Sequence, residues 1–130
     1  MSNRYKDWLL QAKEEFRWAK SAQEDGNFSL VCFLCQQVAE KSLKAICYYR
    51  GADLVKSHSV TEISKFLNLT SEIEEAGKKL DQYYISTRYP DAFTTGAPYI
   101  YFTTDQGISA LVLAQLVLDC ASNEVAHESA

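Results

Sequence analysis

Residues 28–50 read FSLVCFLCQQVAEKSLKAICYYR, from Phe28 to Arg50 without a glycine or proline, and Gly26-Asn27 and Gly51 supply breaks on either side. That pattern predicts one uninterrupted helix. At about 100° per residue, Gln36, Gln37, Glu40, Lys41 and Lys44 fall inside an arc of roughly 140°. Leu34, Cys35, Val38, Ala39, Leu43, Ala45 and Ile46 fill the opposite half, with Ser42 the one polar intruder. An apolar strip this wide needs more than one neighbour to cover it, so the helix is expected at the centre of a bundle. Leu30, Phe33, Cys47 and Tyr48 lie on or beside the polar sector. They are expected to meet a connecting loop or a second subunit.

Working outward, residues 3–25 carry an approximate 3.6 period through Trp8, Ala12, Glu15 or Phe16, Ala19 and Ala22, with Lys6, Lys13, Glu14, Arg17 and Lys20 on the other face. This predicts an amphipathic outer helix from Asn3 to Asp25. Ser59-Val60-Thr61-Glu62 has capping-box spacing and opens a short helix with an apolar edge at Ile63, Phe66 and Leu67. Ser71 to Glu74 repeats that signal before Ile73, Ala76, Leu80, Tyr83 and Tyr84. Residues 86–103 hold both prolines, Gly96 and five aromatics, and an irregular stretch of that length in a compact domain is more often functional than its neighbours. Thr103 to Gln106 offers a third cap, and the final helix runs to about Val125. Between Ile108 and Cys120 only Ser109, Gln115 and Asp119 are polar, so that helix is expected to be nearly enclosed. No strand pattern competes. The expected fold is all-α, an antiparallel up-and-down four-helix bundle with one additional short helix, in one domain over residues 1–130.

Composition narrows the function classes. A 130-residue chain that is 47% hydrophobic supplies a core without disulfides or metal. Its net charge of −4 gives no general attraction to nucleic acid or anionic membrane. The opening MSNRYKDWLLQAKEE is polar and lacks a signal-peptide core, and no apolar run approaches the ~20 residues of a membrane span. A cytoplasmic protein with no membrane partner is expected. Cys32 and Cys35 have CxxC spacing but sit inside a helix, and the remaining ligands, Cys47, Cys120, His58 and His127, are scattered. Buried reduced thiols, with no metal and no cofactor, are therefore expected.

Three features together carry a resemblance. Trp8-Leu9 with Gln11-Ala12 marks the first helix. Cys35-Gln36-Gln37-Val38-Ala39-Glu40-Lys41-Ser42-Leu43-Lys44-Ala45 is similar to a QQxxEKxLKA helix. His58-Ser59-Val60 precedes the short helix, and Tyr83 to Asp91 (YYISTRYPD) is similar to a YxxTRYPD segment. In this order they resemble the HEPN domains, a family related to the C-terminal domain of kanamycin nucleotidyltransferase. The resemblance implies a small helical bundle that commonly dimerises. It implies a minimal nucleotidyltransferase subunit as partner, a nucleotide or RNA as ligand, or a ribonuclease of a toxin–antitoxin system.

The ribonuclease members use an Arg followed, after four to six residues, by a His. Arg88 is present, but the candidate positions hold Phe93, Thr94 and Thr95. The His is absent there, so a non-catalytic role is favoured, with a degenerate metal-independent ribonuclease or a small-molecule-binding bundle as alternatives. In the ribonuclease alternative His58 or Tyr89 would stand in, although His58 before a capping box is the usual place for packing or capping. Pro90 restricts Tyr89 to extended geometry, so the preceding helix is expected to end near Arg88, whose cation meets exposed carbonyls there. Asp91 or Glu40 is a candidate partner for it. Glu40 and Lys44 have the favourable i, i+4 order of an ordinary surface pair. Arg88, Lys44, Lys41, Glu40, Tyr89 and Asp91 are thus the candidate ligand or anion site. Phe33, Tyr48, Tyr83, Tyr84 and Tyr99 are the candidate interface of a homodimer.

Overall fold

Six α-helices and two 3₁₀ turns make up the computed structural model, which describes the backbone of residues 4–129 and the side chains of residues 4–126. The helices are α1 (Tyr5–Glu24), α2 (Phe28–Tyr49), α3 (Val60–Leu67), α4 (Ser71–Asp81), α5 (Tyr83–Ser86) and α6 (Thr104–Ser129). The 3₁₀ turns are Pro90–Ala92 and Pro98–Tyr101. The expected start of α1 at Asn3 lies outside the described residues, as does the side chain of His127. The described chain is all-helical, as expected.

α2 is the central element and packs against α1 and α6, and against the shorter α3, α4 and α5. Val31, Cys32, Cys35, Val38, Ala39 and Leu43 have no exposed surface. Its long neighbours meet it through small residues. Ala12 and Ala19 on α1, and Ala114 and Ala121 on α6, are fully buried, which lets the helix axes approach closely. Gly26, at φ +79°, reverses the chain between α1 and α2 in a conformation that L side chains rarely adopt. Gly77 on α4 allows another close approach, because a Cβ there would lie 2.8 Å from the backbone nitrogen of Thr61.

The polar sector of α2 is not a solvent face. Gln36 is 0% exposed and Glu40 and Lys44 are each 4% exposed. Cys47, expected beside that sector, is buried as well. Helical periodicity grouped these residues correctly, but α1 and the segment between α2 and α3 close over the group.

Three other expectations change. Phe66 is 73% exposed, while Ile63 and Leu67 on the same short helix are buried. The helix expected to continue through Tyr84 is interrupted at Gln82, which keeps helical dihedrals (φ −62°, ψ −21°), so α5 follows α4 almost directly. The last helix is not enclosed: Ile108 and Val112 are 50% and 64% exposed. Thr104–Ala126 is long and apolar enough, by length and composition, to cross a membrane, with a mean hydropathy of 1.4, although Ser109, Gln115 and Asp119 interrupt its apolar run. Within the fold this helix packs against α1, α2 and α4. Its start is as expected, a reciprocal cap in which Thr103 N donates to Gln106 Oε1 (2.9 Å) and Gln106 N donates to Thr103 Oγ1 (3.2 Å).

Candidate functional site

Four residues of α2 spaced by helical turns, Phe33, Gln36, Glu40 and Lys44, organise a polar site along one side of the bundle. Lys44 Nζ donates to Glu40 Oε2 at 2.9 Å, with each side chain 5% exposed, and lies 5.4 Å from the centre of the Trp8 ring. The pair expected on the surface is therefore a buried ion pair, covered by the tryptophan of α1. Lys41 is spent separately, donating to Glu15 on α1 (3.0 Å) and to Gln37 (3.2 Å).

Glu40 has a second partner. His58 Nδ1 lies 3.3 Å from Glu40 Oε2. The carboxylate paired with Lys44 accepts and does not donate, so Nδ1 carries the hydrogen and Nε2 is the free edge of the imidazole. The His58 backbone is fixed too, its carbonyl accepting from Gln36 Nε2 at 2.8 Å. A buried ion pair and a buried amide thus hold a histidine whose side chain is 59% exposed. Capping falls instead to Ser59, whose Oγ accepts from Glu62 N at 3.0 Å, and to Asp81. Asp81 accepts from Val60 N (2.8 Å), Thr61 N (2.9 Å) and Ser59 Oγ (2.9 Å), and from Gln36 Nε2 (3.3 Å).

Tyr84 joins this group to Arg88. The His58 ring stacks on Tyr84 with centroids 5.4 Å apart and planes 15° apart. The Arg88 guanidinium carbon lies 4.8 Å from the same ring, 4.3 Å from the centre of Phe33 and 5.1 Å from that of Tyr89. Arg88 Nε donates to the Tyr84 carbonyl at 2.9 Å, and Nη2 donates to the same oxygen, as expected of a cation at a helix C-terminus. Tyr89 is extended (φ −115°, ψ 123°) before Pro90. Neither Asp91 nor Glu40 pairs with Arg88: among the described residues no carboxylate does, and the guanidinium is exposed among aromatic rings. Beside Tyr84 opens a cleft of about 330 Å³ lined by Ser57, His58, Ser59, Glu62, Asp81 and Tyr84.

Of the expected anion site, then, Arg88 and Tyr89 come together, Asp91 lies exposed in the adjoining turn, and Lys41 and Lys44 face carboxylates elsewhere. Gln36 and Asp81 join the site unexpectedly, together with His58, weighed only as a ribonuclease stand-in, and Tyr84, expected at an interface. Their one advance signal is the short HSV segment, since Asp81 and Tyr84 carry no local mark of their long-range partners.

The five aromatic residues expected at an interface divide. Tyr48 stacks on Trp8 at 5.7 Å and its hydroxyl accepts from Val55 N, while Tyr83 meets Phe102 edge-on at 5.9 Å. Phe33 and Tyr84 serve Arg88. Tyr99 is 72% exposed, alongside exposed Ile85, Tyr89, Ile100 and Tyr101. At the positions where a ribonuclease histidine would follow Arg88, Phe93 stacks on Tyr101 with centroids 4.4 Å apart, and Thr94 and Thr95 are exposed.

The cysteines are free. Burial pushes the Cys32 thiol up to about 12, and raises Cys35, Cys47 and the half-buried Cys120 as well.

Comparison with known proteins fits this architecture. The HEPN domain model matches residues 5–125. TT1696 from Thermus thermophilus is similar in structure, with a TM-score of 0.89 and 35% identity over 94% of this chain and 98% of that one. ST0689, an archaeal HEPN homologue, gives a TM-score of 0.83 and 31% identity over 96% and 99%. No curated protein matches significantly. With a family match over nearly its whole length and these two neighbours, the chain belongs to the HEPN domain family.

Proposed function

We propose that this HEPN domain is a homodimeric, non-catalytic binding module that presents Arg88 to a nucleotide and works beside a minimal nucleotidyltransferase subunit. The observation that carries this reading is the state of Arg88: an exposed cation set among three aromatic rings, with no carboxylate partner among the described residues. Its two bonds to the Tyr84 carbonyl leave Nη1 free for a phosphate oxygen, the geometry for which arginine is suited. The packed ring of Phe93, where a catalytic histidine would stand, favours binding over cleavage. The exposed apolar residues between Ile85 and Tyr101 favour a two-fold dimer, because such patches are normally covered on soluble proteins. Light scattering at micromolar concentration is expected to give twice the chain mass. Co-expression with a nucleotidyltransferase encoded beside it is expected to give a stable complex. A monomer that fails to retain that subunit contradicts the proposal.

One observation favours a second reading, a metal-independent ribonuclease. His58 and Arg88 contact the same Tyr84 ring, which puts an imidazole in the neighbourhood of the arginine despite the missing motif residue. Incubation with total tRNA in EDTA decides between the two. Cleavage lost in both Arg88→Ala and His58→Ala supports the ribonuclease, and intact tRNA supports the binding module.

A further inference from the structure

The arrangement around His58 is more constrained than a surface histidine requires. Glu40 Oε2 holds Nδ1, Gln36 holds the backbone carbonyl, and the Tyr84 ring supports one face of the imidazole. What remains open is Nε2, beside the cleft of about 330 Å³. Phe33 lies under Arg88 and Glu40 lies under His58, and these two are separated by two turns of α2, about 10 Å. Tyr84 touches both groups, with the His58 ring centre 5.4 Å and the Arg88 guanidinium carbon 4.8 Å from the centre of its ring, so the two nitrogen-bearing side chains border one ring.

The surrounding charges define what a proton on His58 would meet. From α2 come Glu40 and the Lys44 that neutralises it. From α3 comes Glu62 at the cleft rim, and from α4 comes Asp81, whose two oxygens are already occupied by Ser59, Val60, Thr61 and Gln36. Tyr84 and Arg88 lie on the remaining side. An anion bound at Arg88 and extending past Tyr84 would add the negative charge that favours imidazolium, while Glu40 accepts from Nδ1 in either protonation state.

Resting on the nucleotide reading of Arg88, we propose that His58 is a second anion-binding residue of the same site, that it takes up a proton as the ligand binds, and that the ligand class is a nucleoside polyphosphate. A chain of linked phosphates suits two cations bordering one ring and spaced in this way. A single phosphate at Arg88 makes direct hydrogen bonds of about 3 Å and leaves His58 unengaged. Neutral His58 offers only a lone pair at Nε2, which repels phosphate oxygens, whereas the imidazolium donates there. Glu40 is a positioning residue in this scheme, and Lys44 holds Glu40.

Calorimetric titration of ATP and of AMP, in EDTA at about pH 6 and about pH 8, tests this on the wild-type chain and on His58→Gln. Glutamine keeps a polar side chain of similar reach but cannot take up a proton. Wild type is expected to bind ATP roughly tenfold more tightly at the lower pH. ATP's own protonation opposes that trend, so the His58→Gln variant is expected to bind ATP no more tightly at the lower pH. AMP, whose phosphate takes up a proton in the same range, is expected to bind no more tightly at the lower pH in either protein. Equal ATP affinity for wild type at the two pH values overturns the proposal, as does the same enhancement in His58→Gln or with AMP. Absence of ATP binding at both pH values overturns the nucleotide reading along with it, so the two failures are distinguishable.

Discussion

Glu40 and Lys44 meet at 2.9 Å inside the bundle, each side chain only 5% exposed, under the ring of Trp8. A buried pair of this kind gains little net stability over apolar residues of the same shape, but removing one partner leaves a charge without compensation. Lys44→Ala is therefore expected to destabilise the fold by about 3 kcal/mol. Lys44→Met combined with Glu40→Leu is expected to cost clearly less than Lys44→Ala while detaching His58. Urea unfolding of the single and double variants checks this. A double variant as unstable as the single one would contradict the account of the pair.

Gly77 reverses the usual rule for helix interiors. Glycine to alanine ordinarily stabilises a helix by about 1 kcal/mol. Here the added Cβ would stand 2.8 Å from Thr61 N and 3.1 Å from Thr61 Cα, both backbone atoms of α3 that cannot swing aside. Gly77→Ala is expected to lower stability by about 1–3 kcal/mol, read as a fall in the denaturation midpoint. An increase would show that α3 and α4 have room to separate.

How much of this was legible in the sequence depends on the range of each interaction. The limits of α2 and the reciprocal Thr103–Gln106 cap follow from residues within one turn of each other, and both are found where expected. The burial of Gln36, Glu40 and Lys44 did not follow, because periodicity says which residues share a face and not what covers it. That cover includes Trp8 from α1 and His58 from a segment far along the chain. Asp81 was missed for a related reason: Ser59 accounts locally for the start of α3, and nothing near position 81 shows that its carboxylate also binds the Val60 and Thr61 amides. Arg88 was legible as a helix-terminal cation, whereas its three-ring setting depends on Phe33 of α2.

The buried thiols predict an alkaline weakness. Free cysteine titrates at about 8.5, whereas burial pushes Cys32 up to about 12. Between those values the unfolded chain has released this proton and the folded chain retains it, so stability falls as pH rises through that window and is unaffected by Cys32 below it. The slope contributed by Cys32 is expected to approach about 1.4 kcal/mol per pH unit. Urea midpoints at about pH 7 and about pH 10 measure the loss, which is expected to be smaller in Cys32→Ala. An equal loss in that variant would contradict the assignment to this thiol.

The central claim is that Arg88 is a ligand-binding cation and not merely a helix cap. Fluorescence-detected titration of a labelled ATP analogue into the wild-type chain and into Arg88→Ala, in EDTA at one pH, tests it most directly. Circular dichroism of both proteins accompanies the titration to confirm equal folding. Saturable binding by wild type and at least about tenfold weaker binding by Arg88→Ala are predicted, the loss of one charge-assisted contact being worth about 1.5–3 kcal/mol. Equal affinity in the two proteins, or no saturable binding by wild type, would contradict it.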